Sequence, residues 1–228
     1  MNSNKSNNKD MVERLLLLKG WKLFGGIVLV NLLILFLSQT TLINEIVFFN
    51  TYSEQLTYDR AMEVFSQMRS FSWVSYIITP ILLLLKFSAM SVLLYIGIFF
   101  SDLHKEITLG KIFKVVIASE LVFIVASIIK LLWFIFFAGN YTLDDMSFFY
   151  PLSLINLFSR SEVAAYWIYP LQTVNFFQLV YILLLALGLS KISSIRKEAA
   201  DKVVLATYVP AMVVWIALVM FLSIDVQA

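Results

Sequence analysis

Five apolar runs, parted by polar stretches, set the pattern of this chain. A helix climbs about 1.5 Å per residue, so a hydrocarbon core about 30 Å thick takes roughly 20 apolar residues to cross. The runs near Trp21–Thr41, Val74–Phe100, Phe113–Ala138, Gln172–Ser190 and Val203–Ile224 meet that length. Strands of a membrane barrel would instead alternate over about ten residues. Stretches such as ITPILLLL and LVYILLLALGL do not alternate. The pattern predicts an all-α fold, an integral membrane bundle of five transmembrane helices over 21–41, 74–100, 113–138, 172–190 and 203–224. A polar tail and interfacial segment, 1–20, precedes it. The first run resembles a signal peptide, but it leads into Ser38-Gln39-Thr40-Thr41 with no small-residue cleavage site, so it reads as an uncleaved span.

The connections are unequal. Two are about a dozen residues of charged helix-end chemistry, SDLHKEITLGK and KISSIRKEAADK. The others, Leu42–Trp73 and Gly139–Leu171, run to around thirty residues and are rich in aromatics. In the first of these, Tyr58, Ala61, Met62, Phe65 and Met68 recur at helical spacing, with Asp59, Arg60, Glu63 and Gln67 between them. That is an amphipathic helix, expected to lie in the membrane interface. In the second, Thr142-x-x-Asp145 and Ser159-x-x-Glu162 have the form of capping boxes that open short helices. Tyr166, Trp167 and Tyr169 stand where an aromatic belt precedes the fourth span.

Composition agrees with the pattern. Charged residues make up 14% of the 228 and mean hydropathy is +0.87, too few charges for a water-facing surface of this size. The net charge of +2 hides a strong asymmetry. Twelve of the seventeen Lys and Arg fall in the N-terminal segment and the two short connections, while Arg60, Arg69 and Arg160 alone lie in the long ones. Cations resist translocation, so the twelve mark the cytoplasmic side. The expected address is the cytoplasmic membrane, with the N-terminus inside, the long connections outside and, after five crossings, the C-terminus outside.

Chemistry at membrane depth is confined to few residues. Lys86, Glu120 and Lys130 fall inside the runs, where a charge costs about 2.5–3.5 kcal/mol on insertion scales and seeks a partner. The second and third spans are antiparallel neighbours, which brings Lys86 within reach of Glu120; Lys130 lies close enough to the outer interface to snorkel there. At 100° per residue, Ser119, Glu120, Ser127 and Lys130 share one arc of the third span. With Asn31 on the first span and Asn175 and Gln178 on the fourth, these residues form a candidate polar network. Two readings fit it: a proton or ion relay or a pocket for an anionic head group, or a Glu120–Lys86 ion pair with interhelical hydrogen bonds that only holds helices together.

Other candidates carry less. Asp144-Asp145 offers a cation fewer than the six oxygens a hard ion takes. The single histidine, His104, has no nucleophile beside it, and the absence of cysteine excludes disulfides and thiolate sites. No metal, cofactor or nucleic-acid partner is expected. Asn140-Tyr141-Thr142 has the form of a glycosylation acceptor. Phosphate-binding and hydrolase motifs are absent from the sequence, so the chain is not expected to be an enzyme.

The second half carries a resemblance. Thr108-Leu-Gly-Lys-Ile-Phe-Lys114 enters the third run and Pro151-Leu-Ser-Leu-Ile-Asn156 follows. Asn175-Phe-Phe-Gln-Leu179 then leads to Leu185-Ala-Leu-Gly-Leu-Ser190 and a basic turn. This order resembles the bacterial branch of the Yip (Ypt-interacting protein) domain family over roughly Ser101–Leu222; before that only the layout matches, and Gln178 replaces the usual aromatic. The resemblance implies a five-span bundle with a cytoplasmic N-terminus and carries over no active site. The resulting expectation is a non-enzymatic, multi-pass scaffold or accessory subunit that organises membrane partners, copies of itself or lipid. The alternative is a small transporter or channel using Lys86, Glu120 and Lys130.

Overall fold

The computed structural model describes Leu16 and residues 18–102, 107–192 and 196–225, the side chains of the last two excepted. His104 and nearly all of the N-terminal tail lie outside the described residues. Ten α-helices account for most of what is described: α1 (Gly20–Leu37), α2 (Glu45–Tyr52), α3 (Tyr58–Ser70), α4 (Trp73–Phe100), α5 (Leu109–Ser119), α6 (Leu121–Phe136), α7 (Leu143–Phe148), α8 (Ala165–Thr173), α9 (Phe176–Ile192) and α10 (Lys197–Asp225). The described residues form no strand, only an isolated bridge between Ser153 and Asn175.

Among the described residues, four helical stretches are long and apolar enough to cross a membrane: Gly20–Leu42, Trp73–Phe100, Leu109–Phe136 and Lys197–Ser223. Their surfaces fit that medium. Leu29, Leu33, Ile81, Leu85, Ile128, Leu132, Val214 and Leu218 all stand exposed, apolar surface that water would punish and lipid tails accept. The first stretch ends in one turn of π-helix, Ser38–Leu42, where Thr40 and Thr41 hydroxyls donate to the Phe36 and Leu37 carbonyls. Such back-bonding supplies the carbonyls a fraying end leaves unpaired.

Several expected boundaries shift. The third span starts at Leu109 rather than 113 and ends at Phe136, and α5 hands over to α6 through a turn at Glu120, whose N–H is shared by the Val116 and Ile117 carbonyls. The last helix starts at Lys197 rather than 203, because a charged, Ala-rich turn extends it beyond its apolar part. The segment expected as a fourth span over 172–190 is two helices. α8 ends at Thr173, and α9 is a 17-residue apolar helix beginning at Phe176. The cause is Asn175. Its side-chain oxygen accepts the Gln178 N–H at 2.7 Å, an N-cap bond, while its amide donates to the Gln172 and Thr173 carbonyls.

Contacts divide the chain into two compact units. One comprises Met1–Ile27, Leu83–Val122 and Leu179–Val214; the other comprises Val28–Leu82, Phe123–Gln178 and Trp215–Ala228. In the first, glycines admit close approach. A Cβ on Gly188 would lie 2.5 Å from Val115 Cγ1, and one on Gly97 would collide with the Thr207 methyl. In the second, the long connections fold on each other. The amphipathic helix α3 forms as expected: Ala61 and Phe65 are buried with Phe48 of α2, while Tyr58 and Met68 of the same apolar set stand exposed. The Leu143 N–H donates to Thr51 Oγ1 at 2.9 Å and Tyr141 Oη donates to the Leu42 carbonyl at 3.0 Å. The Thr142–Asp145 capping box opens α7. Ser159 and Glu162 form the second box on a 3₁₀ turn, whose bonds hold the Glu162 carboxyl below its ordinary pKa.

Candidate functional site

The second and third expected spans deliver the pair the sequence suggests. Lys86 lies midway along α4 and Glu120 at the joint of α5 and α6. Lys86 Nζ and Glu120 Oε1 are 2.5 Å apart. The two side chains live in different surroundings: that of Glu120 is 6% exposed and that of Lys86 46%. Helical phase explains it. Phe87, Ser91, Leu94 and Ile98 form the buried stripe of α4, and Lys86 leaves the helix about 100° from Phe87. Its side chain stays half-exposed while its ammonium meets the buried carboxyl, the reverse of a lysine that snorkels to water.

Glu120 Oε2 is buried and has no hydrogen-bond partner among the described residues. Around the carboxyl the first unit gathers further buried polar groups. Ser119 is buried, and so is Tyr181 of α9. The Tyr208 ring of α10 stands 5.5 Å from that of Tyr181, and both are buried. Neither tyrosine belongs to the network read from the sequence. Each sits within an apolar run, YILLLALGL and ATYVPAM, where a tyrosine looks like ordinary aromatic packing. Mid-membrane placement was the available signal.

The remaining expected residues belong to the second unit and have local uses. Asn175 caps α9, bonding the Gln178 backbone. Both residues are buried. Ser127 Oγ donates to the Phe123 carbonyl of its own helix at 2.9 Å. Asn31 is half-buried on α1. Lys130 is half-buried on α6 and makes no ion pair or hydrogen bond among the described residues. Of the seven residues, an ion pair joins Lys86 with Glu120, and a side-chain-to-backbone hydrogen bond joins Asn175 with Gln178.

The two aspartates of the second long connection are spoken for. Asp145 serves the capping box and Asp144 Oδ2 lies 2.8 Å from Arg160 Nη2. No cluster of three or more metal-ligating side chains occurs among the described residues. Chemically the Lys86–Glu120 site can hold a charge pair in a low-dielectric wall and can exchange a proton at Oε2; it presents no nucleophile. Comparison with protein-family models, with curated proteins and with solved structures finds no match to this chain.

Proposed function

We propose that this chain is a non-enzymatic, five-span protein of the cytoplasmic membrane, with its N-terminus inside and its C-terminus outside, that organises membrane partners or lipid. The observation that carries the reading is the folded layer built by the two long connections. It has its own buried core around Phe48, Ala61 and Phe65, two capping boxes and the Asp144–Arg160 ion pair. Ile46, Phe71, Leu152 and Leu157 nevertheless stand exposed on it. An ordered surface with projecting apolar side chains is what a docking face offers. The resemblance to the bacterial Yip family points the same way, since it too implies five spans and no catalytic site. Purification in mild detergent tests the proposal: the protein is expected to carry a bound protein, a second copy or specific lipid. A bare monomer overturns it.

A second reading is transport through the Lys86–Glu120 site, favoured by the unbonded Glu120 Oε2. Buried ionisable groups at membrane depth mark ion and proton paths in many membrane proteins. Liposome flux lost in both Lys86→Met and Glu120→Gln promotes this reading; the absence of flux in the native protein removes it.

A further inference from the structure

The structure assigns to Lys130 and Trp133 a binding site for the phosphate of an anionic phospholipid. Lys130 lies six residues before the end of α6 at Phe136, about 9 Å along the helix. It is half-buried, so protein surrounds much of its stem, yet no acidic side chain or hydrogen-bond acceptor among the described residues meets its ammonium. The serine one turn below, Ser127, directs its proton to the Phe123 carbonyl and away from any ligand. A lysine at this depth reaches the interface only by snorkelling, with its long stem carrying the ammonium past the next turn. The first anions it meets there are lipid phosphates.

Trp133 makes this more than a snorkelling lysine. It stands one turn nearer the interface and about 60° around the helix from Lys130. Its indole stacks with two rings, Phe137 at 5.3 Å and Phe149 at 5.4 Å, with interplanar angles of 24° and 14°. The stack fixes the indole while leaving it 43% exposed, and its N–H has no partner among the described residues. Two donors, one charged, thus stand on one face at adjacent turns. A phosphodiester oxygen accepts from the ammonium, and a second oxygen or an ester carbonyl accepts from the indole. An anionic head group is preferred because a zwitterionic one brings its own cation to the phosphate.

The inference rests on the membrane reading above and deepens it by naming the lipid class. Full-length protein is stripped of lipid by prolonged detergent washing, offered phosphatidylglycerol or phosphatidylcholine in mixed micelles, and read by native mass spectrometry. The native chain is expected to retain phosphatidylglycerol about tenfold better than phosphatidylcholine. Lys130→Met is expected to lose that preference and Lys130→Arg to keep it. Trp133→Phe, which preserves the ring stack and removes the N–H, is expected to weaken retention severalfold, and it decides the matter if Lys130→Met does not fold. Equal retention by the native chain and the folded variants overturns the site. Inorganic phosphate that displaces phosphatidylglycerol overturns the lipid assignment in favour of a soluble phosphate. A protein that binds neither lipid and stays dispersed without detergent fails the membrane reading itself, an outcome distinct from lost selectivity.

Discussion

Leu152 carries a backbone φ of 52° in the turn after Pro151, with its side chain 63% exposed. The left-handed region costs an L-residue about 1–2 kcal/mol, whereas glycine enters it freely. Leu152→Gly is therefore expected to stabilise the protein by about 0.5–1 kcal/mol after the entropy cost of glycine. The midpoint of reversible unfolding in mixed micelles measures it, and a loss of stability would show that the leucine side chain contributes more than its backbone costs. The Lys86–Glu120 pair calls for a cycle rather than a single substitution. Removing one partner leaves a charge in an apolar wall, but the half-exposed Lys86 stem tempers the burial. Lys86→Met and Glu120→Gln each destabilise, and the double variant is expected to recover about 1–2 kcal/mol of their sum. Strict additivity of the two losses would mean the contact has no energetic coupling. The pair itself was legible from two facts, the scarcity of mid-run charges and the antiparallel neighbourhood of consecutive spans. The buried Tyr181–Tyr208 contact was not, since sequence spacing does not report which fourth- and fifth-run side chains meet.

At the scale of elements, close approach of helices depends on single positions. Gly188 sits against Val115, with the absent Cβ only 2.5 Å from a valine methyl. Gly188→Ala is expected to cost about 1–3 kcal/mol through overpacking, and Val115→Ala in the same chain to restore part of it. An unchanged unfolding midpoint in Gly188→Ala would show that the two helices yield without strain. Which elements the sequence revealed follows from the kind of signal each carries. The Thr142–Asp145 box is local chemistry over four residues and stands as read. The amphipathic α3 was legible for the same reason, but not its cover. Helix α2, EIVFFNTY, is apolar almost all round and has no stripe for periodicity to find; Asn44 starts it by accepting the Val47 N–H. Hydropathy also averages across Asn175, so one polar cap inside an apolar stretch vanished into an expected span and reappeared as the start of α9.

For the whole molecule, α9 decides what the chain is in the membrane. Its 17 residues reach about 26 Å, the short limit for a crossing helix. Four crossings would return the two chain ends to one face, while five separate them. Parity also fixes the side of the segment that begins α10. If α9 crosses, Lys197 and the second long connection lie on opposite faces; if α9 does not cross, they share one. The native chain has no cysteine, so single introduced thiols report without background. Ser159 and Lys197 are both exposed and suit the purpose. Ser159→Cys is expected to react with an impermeant maleimide in intact cells, and Lys197→Cys only after the membrane is opened. The cation distribution leads to the same expectation, because Lys191, Arg196, Lys197 and Lys202 lie around the connection between α9 and α10 and cations resist export. Labelling of both thiols from outside would leave α9 as a buried or interfacial helix, and the basic turn would then need a partner outside the cell to explain its charge.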